Sequence, residues 1–515
     1  LSVTARLTGP LDRQAIARAL DAVVRRHEAL GASFPTHDGV PRQHIAAASR
    51  VELLTETLAD SDPSRQTAEL EERMQAEARR PFDLARGPLF RATLYVLDDQ
   101  RHVLQLTMHH IVSDGWSMGV LLEEMAADYA AFAAGVESVI PEPDVGYPDF
   151  AAWQTEWLAG EELAQQLDYW RGQLADDVAP LALPTDRPRP RVPSYRGAVV
   201  RFEIPADVTA SLERLAASRD GSLYMTLLAA YQTWLSRYTG QTQIRVGTPV
   251  ANRRRTEFER LIGFFVNTLV MHGDLSGRPT FEDVVERARQ TALAAFAHQD
   301  VPFEKLVEEL APARDRSHAP LFQTALVLQN TRLRSPAAGT IAVEVDEIHN
   351  GTAKHDLALY LRSRGKVLEA VFEYSTDLFT AATVERMADS FVALLAGAVA
   401  DPASPIDRLP MVDAAEYRRL TETGNQGGPA AEGEPTLVES FAAQVARTPD
   451  AAAVSCAGRT LTYAELDAEA GRLAAWLRER GVGAECLVGV YCDRSPEMIV
   501  ALLGALKAGA AYLPL

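Results

Sequence analysis

Hydrophobic residues along the chain follow either the alternating pattern of a strand or the spacing of a helix. The first pattern is replaced by the second near residue 110. The segment from Val103 to Thr107 is β-prone, and Leu104, Leu106 and Met108 fall on one face of the strand it predicts. Beyond Gly115 the apolar residues follow helical spacing, as Met118, Leu121, Leu122, Met125, Tyr129 and Phe132. The pattern therefore predicts a strand that turns directly into a helix.

Similar patterns predict the other elements of a mixed α/β protein. Asp12 is a suitable N-cap for a helix after a first strand, and Asp62-Pro63 opens a second helix that runs to about residue 80. A hairpin is expected to pair residues 88–97 with 102–109. Later elements are expected as helices over 206–219, 223–239 and 381–399, strands over 243–249, 321–329 and 341–347, and a hairpin over 356–374.

Length and charge narrow the class of protein. A chain of 515 residues suggests roughly two to four structural units. The net charge is −19, from 51 basic and 70 acidic residues without a Lys/Arg cluster, so neither nucleic acid nor an anionic membrane is an expected partner. The three cysteines are odd in number and lie near the end, which predicts no disulfide framework and a cytoplasmic location.

Two segments of biased composition divide the chain. Residues 184–196 contain four prolines and predict a semi-rigid connector, and residues 413–435 form a polar, Gly- and Ala-rich linker. We predict a first lobe over 1–185, a second lobe over 186–412, the linker over 413–435 and a last unit over 436–515. Because the chain opens with Leu1 inside a predicted strand, we expect both ends to be cuts in a longer polypeptide.

The corner between strand and helix carries the strongest candidate chemistry. If the strand continues through both histidines, His110 extends the apolar row and His109 faces the other way. His110 is then the better candidate for a base in a dry channel, with a satisfied core histidine as an equal alternative. Metal binding is disfavoured, because no cysteine or acidic ligand has metal-site spacing. Asp114 lies at the turn, where Gly115 is expected to supply backbone freedom.

The residues from Met108 to Ser117 contain a complete HHxxxDG pattern, which resembles the signature of condensation domains of nonribosomal peptide synthetases. Further motifs of that family follow in order: RHExL at 26–30, YxDFAxWQ at 147–154, Asn252-Arg253, IGxFVNT at 262–268, HQDxPFExLV at 298–307 and RDxSxxPLFQ at 314–323. Gly31 replaces an arginine of the RHExLR motif. The family's first motif is absent, so the first strand and helix of the domain are expected to be missing.

The last part of the chain resembles a second family. LTYAEL at 461–466 and LKAGAAYLPL at 506–515 are similar to the first two motifs of adenylation domains of the acyl-adenylate-forming superfamily. The segment contains no Gly-rich phosphate loop. We therefore expect a truncated α/β fragment of an adjoining adenylation domain, without the ATP site.

The first resemblance implies two lobes, each like chloramphenicol acetyltransferase, that form a V with His110 midway along the channel. It implies peptide-bond formation between two thioesters on carrier domains. An upstream donor carrier presents an aminoacyl or peptidyl group, and the α-amine of an aminoacyl group on a downstream acceptor carrier attacks it. The phosphopantetheine arms of these peptidyl carrier domains are substrates, and no cofactor is expected to be bound directly.

The resemblance also implies roles for individual residues. His110, His109, Asp114 and Gly115 form the catalytic motif, in which His110 is a base, an orienter of the amine or a stabiliser of the tetrahedral intermediate. Asp114 is expected to be structural and ion-paired with Arg253, while Gly115 leaves room for the pantetheine arm and offers a backbone N–H. Support of the site is expected from Arg253, Arg26, Trp116, Ser117 and Asn267, and no metal ligand is expected.

Three other functions fit parts of the resemblance. An epimerisation domain shares the HHxxxDG motif but is not normally followed at once by an adenylation domain, and a cyclisation domain would carry DxxxxD instead. A catalytically silent carrier-docking module would be expected to have a damaged motif. The intact motif and the domain order favour condensation, and residues 111–113 and 266–269 favour an L-configured donor.

Overall fold

A computed structural model of the chain describes residues 1–46, 50–58, 62–175, 178–310, 317–329, 341–423 and 435–515. It divides into two compact units, Leu1–Tyr417 and Arg418–Leu515. Much of the linker predicted over 413–435 lies outside the described residues, as do Arg314, Asp315 and Arg316 of the RDxSxxPLFQ motif.

The first unit alternates helices and strands. Its helices are α1 (Arg13–Arg26), α2 (Pro63–Arg79), α3 (Gly115–Ala133), α4 (Tyr147–Trp157), α5 (Glu161–Gln173), α6 (Ala206–Ser218), α7 (Leu223–Thr239), α8 (Thr256–Glu259), α9 (Phe281–Ala297), α10 (Phe303–Leu310) and α11 (Ala381–Ala400), with α12 (Ala414–Arg418) at the boundary. Its longer strands are β1 (Ser2–Thr8), β2 (Leu53–Thr57), β3 (Phe90–Val96), β4 (Arg101–Met108), β5 (Gly197–Ile204), β6 (Gln243–Val250), β7 (Asn267–Asp274), β8 (Thr324–Gln329), β9 (Ala342–Glu347), β10 (Leu357–Arg364) and β11 (Val367–Ser375).

The local signals in the sequence begin these elements. Asp12 accepts the backbone amides of Gln14 and Ala15 at the start of α1, and Asp62 accepts that of Ser64 at the start of α2. Each carboxylate satisfies amides that have no partner inside the helix, so both predicted N-caps are confirmed.

One lobe is built on a five-stranded sheet in the order β9-β1-β4-β3-β2. The predicted hairpin is confirmed as β3 and β4, in which Phe90 stands opposite Met108. β1 pairs antiparallel with β4 on one side and with β9 on the other. A strand from beyond residue 340 therefore completes a sheet that is otherwise made from the first 108 residues.

The other lobe is built on a six-stranded sheet in the order β7-β6-β8-β10-β11-β5. Parallel pairing joins β8 to β6 and to β10, whereas the other neighbours are antiparallel. The fully buried Trp234 of α7 packs on Tyr231 and on Phe372 of β11, at centroid distances of 5.9 and 5.6 Å. Rings of this size each contribute on the order of 1.5–3 kcal/mol by burial. Trp170, which precedes the proline-rich connector, lies in the same core.

These two sheets with helices packed on them confirm the mixed α/β class. The lobe bounds at 185 and 412 stay a prediction.

The second unit is a small α/β fragment with its own apolar clusters. Its elements are α13 (Leu437–Arg447), β12 (Ala452–Cys456), β13 (Arg459–Thr462), α14 (Tyr463–Glu479), β14 (Leu487–Val490), α15 (Pro496–Ala508) and β15 (Ala511–Pro514). Helices α14 and α15 approach closely at Gly504, where an added Cβ would lie 2.7 Å from the side chain of Leu473. Across the described ranges, no helix is long and apolar enough to cross a membrane.

Candidate active site

Strand β4 ends at Met108, and both histidines lie in the turn that follows it. His109 precedes a short 3-10 turn, His110–Val112, and its Nδ1 accepts the backbone amide of Ile111 at 3.1 Å. The expectation that His110 extends the apolar row of the strand is wrong. The His109 side chain captures a backbone amide and so starts a turn where the ladder would otherwise continue.

His110 is held neutral and in one tautomer. Burial, followed by the positive charge of Lys354, lowers the pKa of His110 to about 4. Its Nδ1 lies 2.8 Å from the carbonyl oxygen of Ser113, and because a carbonyl can only accept, Nδ1 carries the proton. Nε2 therefore has a free lone pair, and no group in the described part of the chain hydrogen-bonds to it.

His109 presents the opposite arrangement. Its Nδ1 is occupied as an acceptor, so in the neutral ring Nε2 carries the proton. The ring packs at right angles to Phe82, with centroids 5.9 Å apart, and burial lowers the pKa of His109. Of the two histidines, only His110 offers an unoccupied acceptor nitrogen.

Asp114 caps α3 and joins it to a distant loop. Its carboxylate accepts the backbone amide of Ser117 at 2.8 Å and that of Phe265 at 3.0 Å. Nη2 of Arg253 lies 3.2 Å from the same carboxylate, and the two charged side chains are only 1% and 3% exposed. The structure thus brings Asp114 and Arg253 together as a buried ion pair.

The backbone after β6 places Arg253 in this pair. Asn252, directly before it, has a φ of 53°, in the left-handed region that asparagine tolerates better than most residues. Nη1 of Arg253 donates to the carbonyls of Phe258 and Leu261, the latter at 2.7 Å, and Nη2 also donates to Ser117 Oγ at 2.8 Å. Burial lowers the pKa of Arg253, and the Asp114 carboxylate opposes that shift.

The loop before β7 forms the other wall of the site. The amide of Gly263 donates to Ser117 Oγ at 3.1 Å, and the Tyr147 hydroxyl donates to the carbonyl of Phe264 at 2.9 Å. Trp116 joins the same region, because its Nε1 donates to the carbonyl of Glu259 at 2.8 Å. Of the IGxFVNT segment, only Asn267 and Thr268 belong to strand β7.

Gly115 opens α3 and is exposed. Its φ lies outside the left-handed region, and an added Cβ would meet no atom within 4 Å. The expectation that the turn needs glycine's backbone freedom is therefore wrong. What the residue leaves at this point is open space beside the motif.

The remaining two predicted residues lie apart from the corner. Arg26 joins α1 to α3, donating to Glu124 at 2.6 Å and to Asp128 at 3.0 Å. The Asn267 side chain donates to the carbonyls of Gln299 and Val301 at 2.8 and 2.7 Å, and so ties the start of β7 to the α9–α10 connection. Both residues join secondary-structure elements around the site and do not hydrogen-bond to either motif histidine.

The residue pattern alone missed three groups around His110. The Ser113 carbonyl fixes its tautomer, Lys354 adds positive charge, and the Phe264 ring packs against it with centroids 5.1 Å apart. Ser113 and Phe264 occupy variable positions of the HHxxxDG and IGxFVNT motifs, whereas Lys354 lies outside every motif. Within the ranges that the structure describes, no group of three or more His, Cys, Asp or Glu residues is arranged to hold a metal.

Comparison with known proteins identifies both segments. Residues 1–421 match the family model of the condensation domain. The chain belongs to the condensation domain family. Residues 441–515 match the AMP-binding enzyme model, so the condensation domain is followed by the start of an AMP-binding domain. Both resemblances drawn from the motifs are confirmed.

Proteins similar to this condensation domain include synthases and peptide synthetases. One of the linear gramicidin synthase proteins of Brevibacillus parabrevis is 44% identical over 513 residues, which cover 99% of this chain and 7% of that protein. The chain thus spans less than a tenth of that relative. The X-domain from teicoplanin biosynthesis, solved in complex with OxyB, is 31% identical with a TM-score of 0.70 over 80% of this chain and 91% of that chain.

A further solved structure shares the fold of the chain. It is a four-domain nonribosomal peptide synthetase bound to AMP and glycine, with a TM-score of 0.81 over 100% of this chain and 40% of that chain. At 24% identity this likeness concerns the fold alone.

Replacing Asp114 with Asn tests the buried ion pair. The neutral amide strands the Arg253 charge, and breaking such a pair costs about 3–5 kcal/mol, so the free energy of unfolding should fall by that amount. Denaturant unfolding measures it. The matched control is Asp168→Asn, which removes an Asp168–Arg171 pair with side chains 74% and 48% exposed and should cost at most about 1 kcal/mol. Equal losses in both variants would contradict the structural role.

Replacing Arg26 with Ala tests the second buried pair. The side chain of Asp128 is fully buried, so the loss of Arg26 leaves the Asp128 carboxylate buried without its ion-pair partner. This should lower the free energy of unfolding by about 3–5 kcal/mol. The neighbouring exposed Arg25, replaced by Ala, should change stability by no more than about 0.5 kcal/mol. Thermal and denaturant unfolding would show the difference, and an Arg26→Ala variant as stable as Arg25→Ala would refute the role.

Proposed function

We propose that this condensation domain forms a peptide bond between two thioesters carried on phosphopantetheine arms. The donor is an aminoacyl or peptidyl thioester on an upstream carrier domain. The acceptor is an aminoacyl thioester on a downstream carrier domain, and its α-amine is the nucleophile. The adjoining adenylation domain is the neighbour that would load the acceptor carrier, and the chain acts in the cytoplasm.

The state of His110 is the observation that carries this proposal. A neutral imidazole whose Nδ1 proton is held by the Ser113 carbonyl presents the lone pair of Nε2. Such a nitrogen accepts a proton, or a hydrogen bond, from an incoming amine. The neighbouring His109 is the obvious rival, and it lacks this free acceptor because the Ile111 amide occupies its Nδ1.

The reaction then proceeds in balanced steps. The lone pair of the acceptor amine attacks the donor thioester carbonyl, which forms a C–N bond and a tetrahedral intermediate with a cationic nitrogen. Nε2 of His110 takes the proton from that nitrogen. Collapse of the intermediate breaks the C–S bond, and the proton passes to the thiolate of the donor pantetheine. The products are the elongated amide on the acceptor arm and a free thiol on the donor arm.

Positioning supplies more of the rate than proton transfer does. An α-amine has an ordinary pKa near 7.7–8.0, so about a tenth or more of it is already nucleophilic near neutral pH. Juxtaposition of two bound reactants can lower the activation barrier by about 7–11 kcal/mol. A general base accelerates a reaction roughly 10²–10⁴-fold, which corresponds to a smaller reduction of the barrier. The open space at Gly115 suits passage of a pantetheine arm, and its amide at the start of α3 suits a developing oxyanion.

A binding module is the second candidate. The X-domain that this chain resembles was solved in complex with OxyB, so this fold also serves as a docking partner. The two candidates differ in one respect that can be measured. A docking module needs no neutral His110 with a free Nε2, whereas peptide-bond formation does.

Replacing His110 with Ala tests the reaction. With donor and acceptor carrier domains loaded, the variant should form dipeptidyl product at least about tenfold more slowly than the parent, because the proton acceptor is lost. Product on the acceptor carrier is measured by mass spectrometry in single-turnover reactions.

The matched control is His109→Ala. Loss of the contact to the Ile111 amide should lower its melting temperature, with a smaller effect on turnover than His110→Ala. Unchanged product formation in His110→Ala would remove that histidine from the mechanism. A parent domain that forms no product while still binding its carriers would favour the docking module.

A further inference from the structure

The loop before β7 delivers one aromatic side chain to His110. The ring of Phe264 stands at 83° to the imidazole, with ring centroids 5.1 Å apart. The residue is 37% exposed, whereas the neighbouring Phe265 is buried. The ring therefore contacts the histidine on one side and borders open space on another.

The backbone around Phe264 is held by contacts that do not involve its side chain. The amide of Gly263 donates to Ser117 Oγ at 3.1 Å, and the amide of Phe265 donates to the motif aspartate at 3.0 Å. Between them, the carbonyl of Phe264 accepts the Tyr147 hydroxyl at 2.9 Å. The close approach of Tyr147 at Gly263, where a Cβ would lie 2.2 Å away, leaves this backbone little room. The Phe264 ring takes no part in these contacts that hold the loop.

The imidazole needs a second restraint. Its hydrogen bond to the Ser113 carbonyl fixes one nitrogen, but a ring held at a single atom can still tilt about that bond. A perpendicular aromatic neighbour limits that tilt, and such pairs are worth a factor of about two to ten in an equilibrium. The other nearby rings have different partners, since Phe82 packs on His109 and Phe265 lies 4.0 Å from the Arg253 guanidinium.

We propose that Phe264 is a positioning residue, whose ring confines the His110 imidazole so that Nε2 points at the attacking amine. The proposal rests on the proposed function of His110. Phe264, at the variable position of the IGxFVNT motif, thus orients the histidine, whereas the neighbouring residues of the motif hold the loop in place. The side chain acts through the histidine and does not itself exchange protons.

The test compares three variants of Phe264 in the full chain with loaded carrier domains. Phe264→Ala and Phe264→Leu should lower the single-turnover rate of product formation about two- to tenfold, with the KM for both carriers unchanged. Phe264→Tyr keeps the ring and should stay within about twofold of the parent. Because the backbone contacts do not use this side chain, the melting temperatures of all three should stay within about 4 °C of the parent.

A second readout follows His110 directly. NMR titration of its ring protons should show its pKa raised in Phe264→Ala from about 4 towards the ordinary value, because removal of the ring admits water. The other groups that act on this titration, the Ser113 carbonyl, Lys354 and the amino group of Leu1, are the same in every variant. Leu293→Ala on α9, at a residue 49% exposed, is the control and should change neither rate nor pKa.

The outcomes separate this proposal from the function on which it rests. If Phe264→Ala keeps the reaction rate of the parent and the His110 pKa of the parent, the proposal is overturned. It is also overturned if the rate falls only in step with the melting temperature and Phe264→Tyr is equally slow. If the parent forms no product at all, the proposed function fails. The titration then still decides whether the ring confines the imidazole.

Discussion

The buried ion pair between Asp114 and Arg253 is the interaction on which the rest of the site depends. Taking two charges out of water is costly, and removing either one leaves the other unpaired. Here the cost is offset by further hydrogen bonds, since the carboxylate also accepts the Ser117 and Phe265 amides and the guanidinium also donates to the Leu261 carbonyl. The pair thereby fixes the start of α3 and the loop before β7 against each other.

That fixed corner explains the chemistry of His110. The turn before α3 places the Ser113 carbonyl at Nδ1, and the loop before β7 places the Phe264 ring against the imidazole. The burial that keeps the ring neutral opposes folding in acid. Because the pKa of His110 falls from 6.5 to about 4 on folding, the unfolded chain binds an extra proton between these values. The titration of His110 therefore leaves the free energy of unfolding unchanged above pH 6.5 and lowers it increasingly as the pH falls towards 4.

Much of this could be predicted from the sequence, because caps, hairpins and helical faces are local patterns. The Asp12 and Asp62 caps and the hairpin before the motif depend only on neighbouring residues. Strand β4 ends before the histidines because the His109 side chain accepts the Ile111 amide, and this hydrogen bond overrides strand propensity. The addition of β9 to the first sheet, more than 230 residues beyond β4, and the approach of Phe264 to His110 depend on tertiary packing that no local pattern encodes. The family motifs pointed to the candidate site, whereas the contacts within it are seen only in the structure.

In the folded chain, His110 is a neutral imidazole with its proton on Nδ1 and a free lone pair on Nε2. Long-range ¹H–¹⁵N correlation of its ring nitrogens in the intact chain measures this directly across roughly pH 5–8, the range in which an ordinary histidine titrates. The structure predicts a protonated Nδ1 and an unprotonated Nε2 throughout most of that range, with protonation only near pH 4. A proton on Nε2 at neutral pH, or an imidazolium that forms near pH 6.5, would show that His110 is not held in this state.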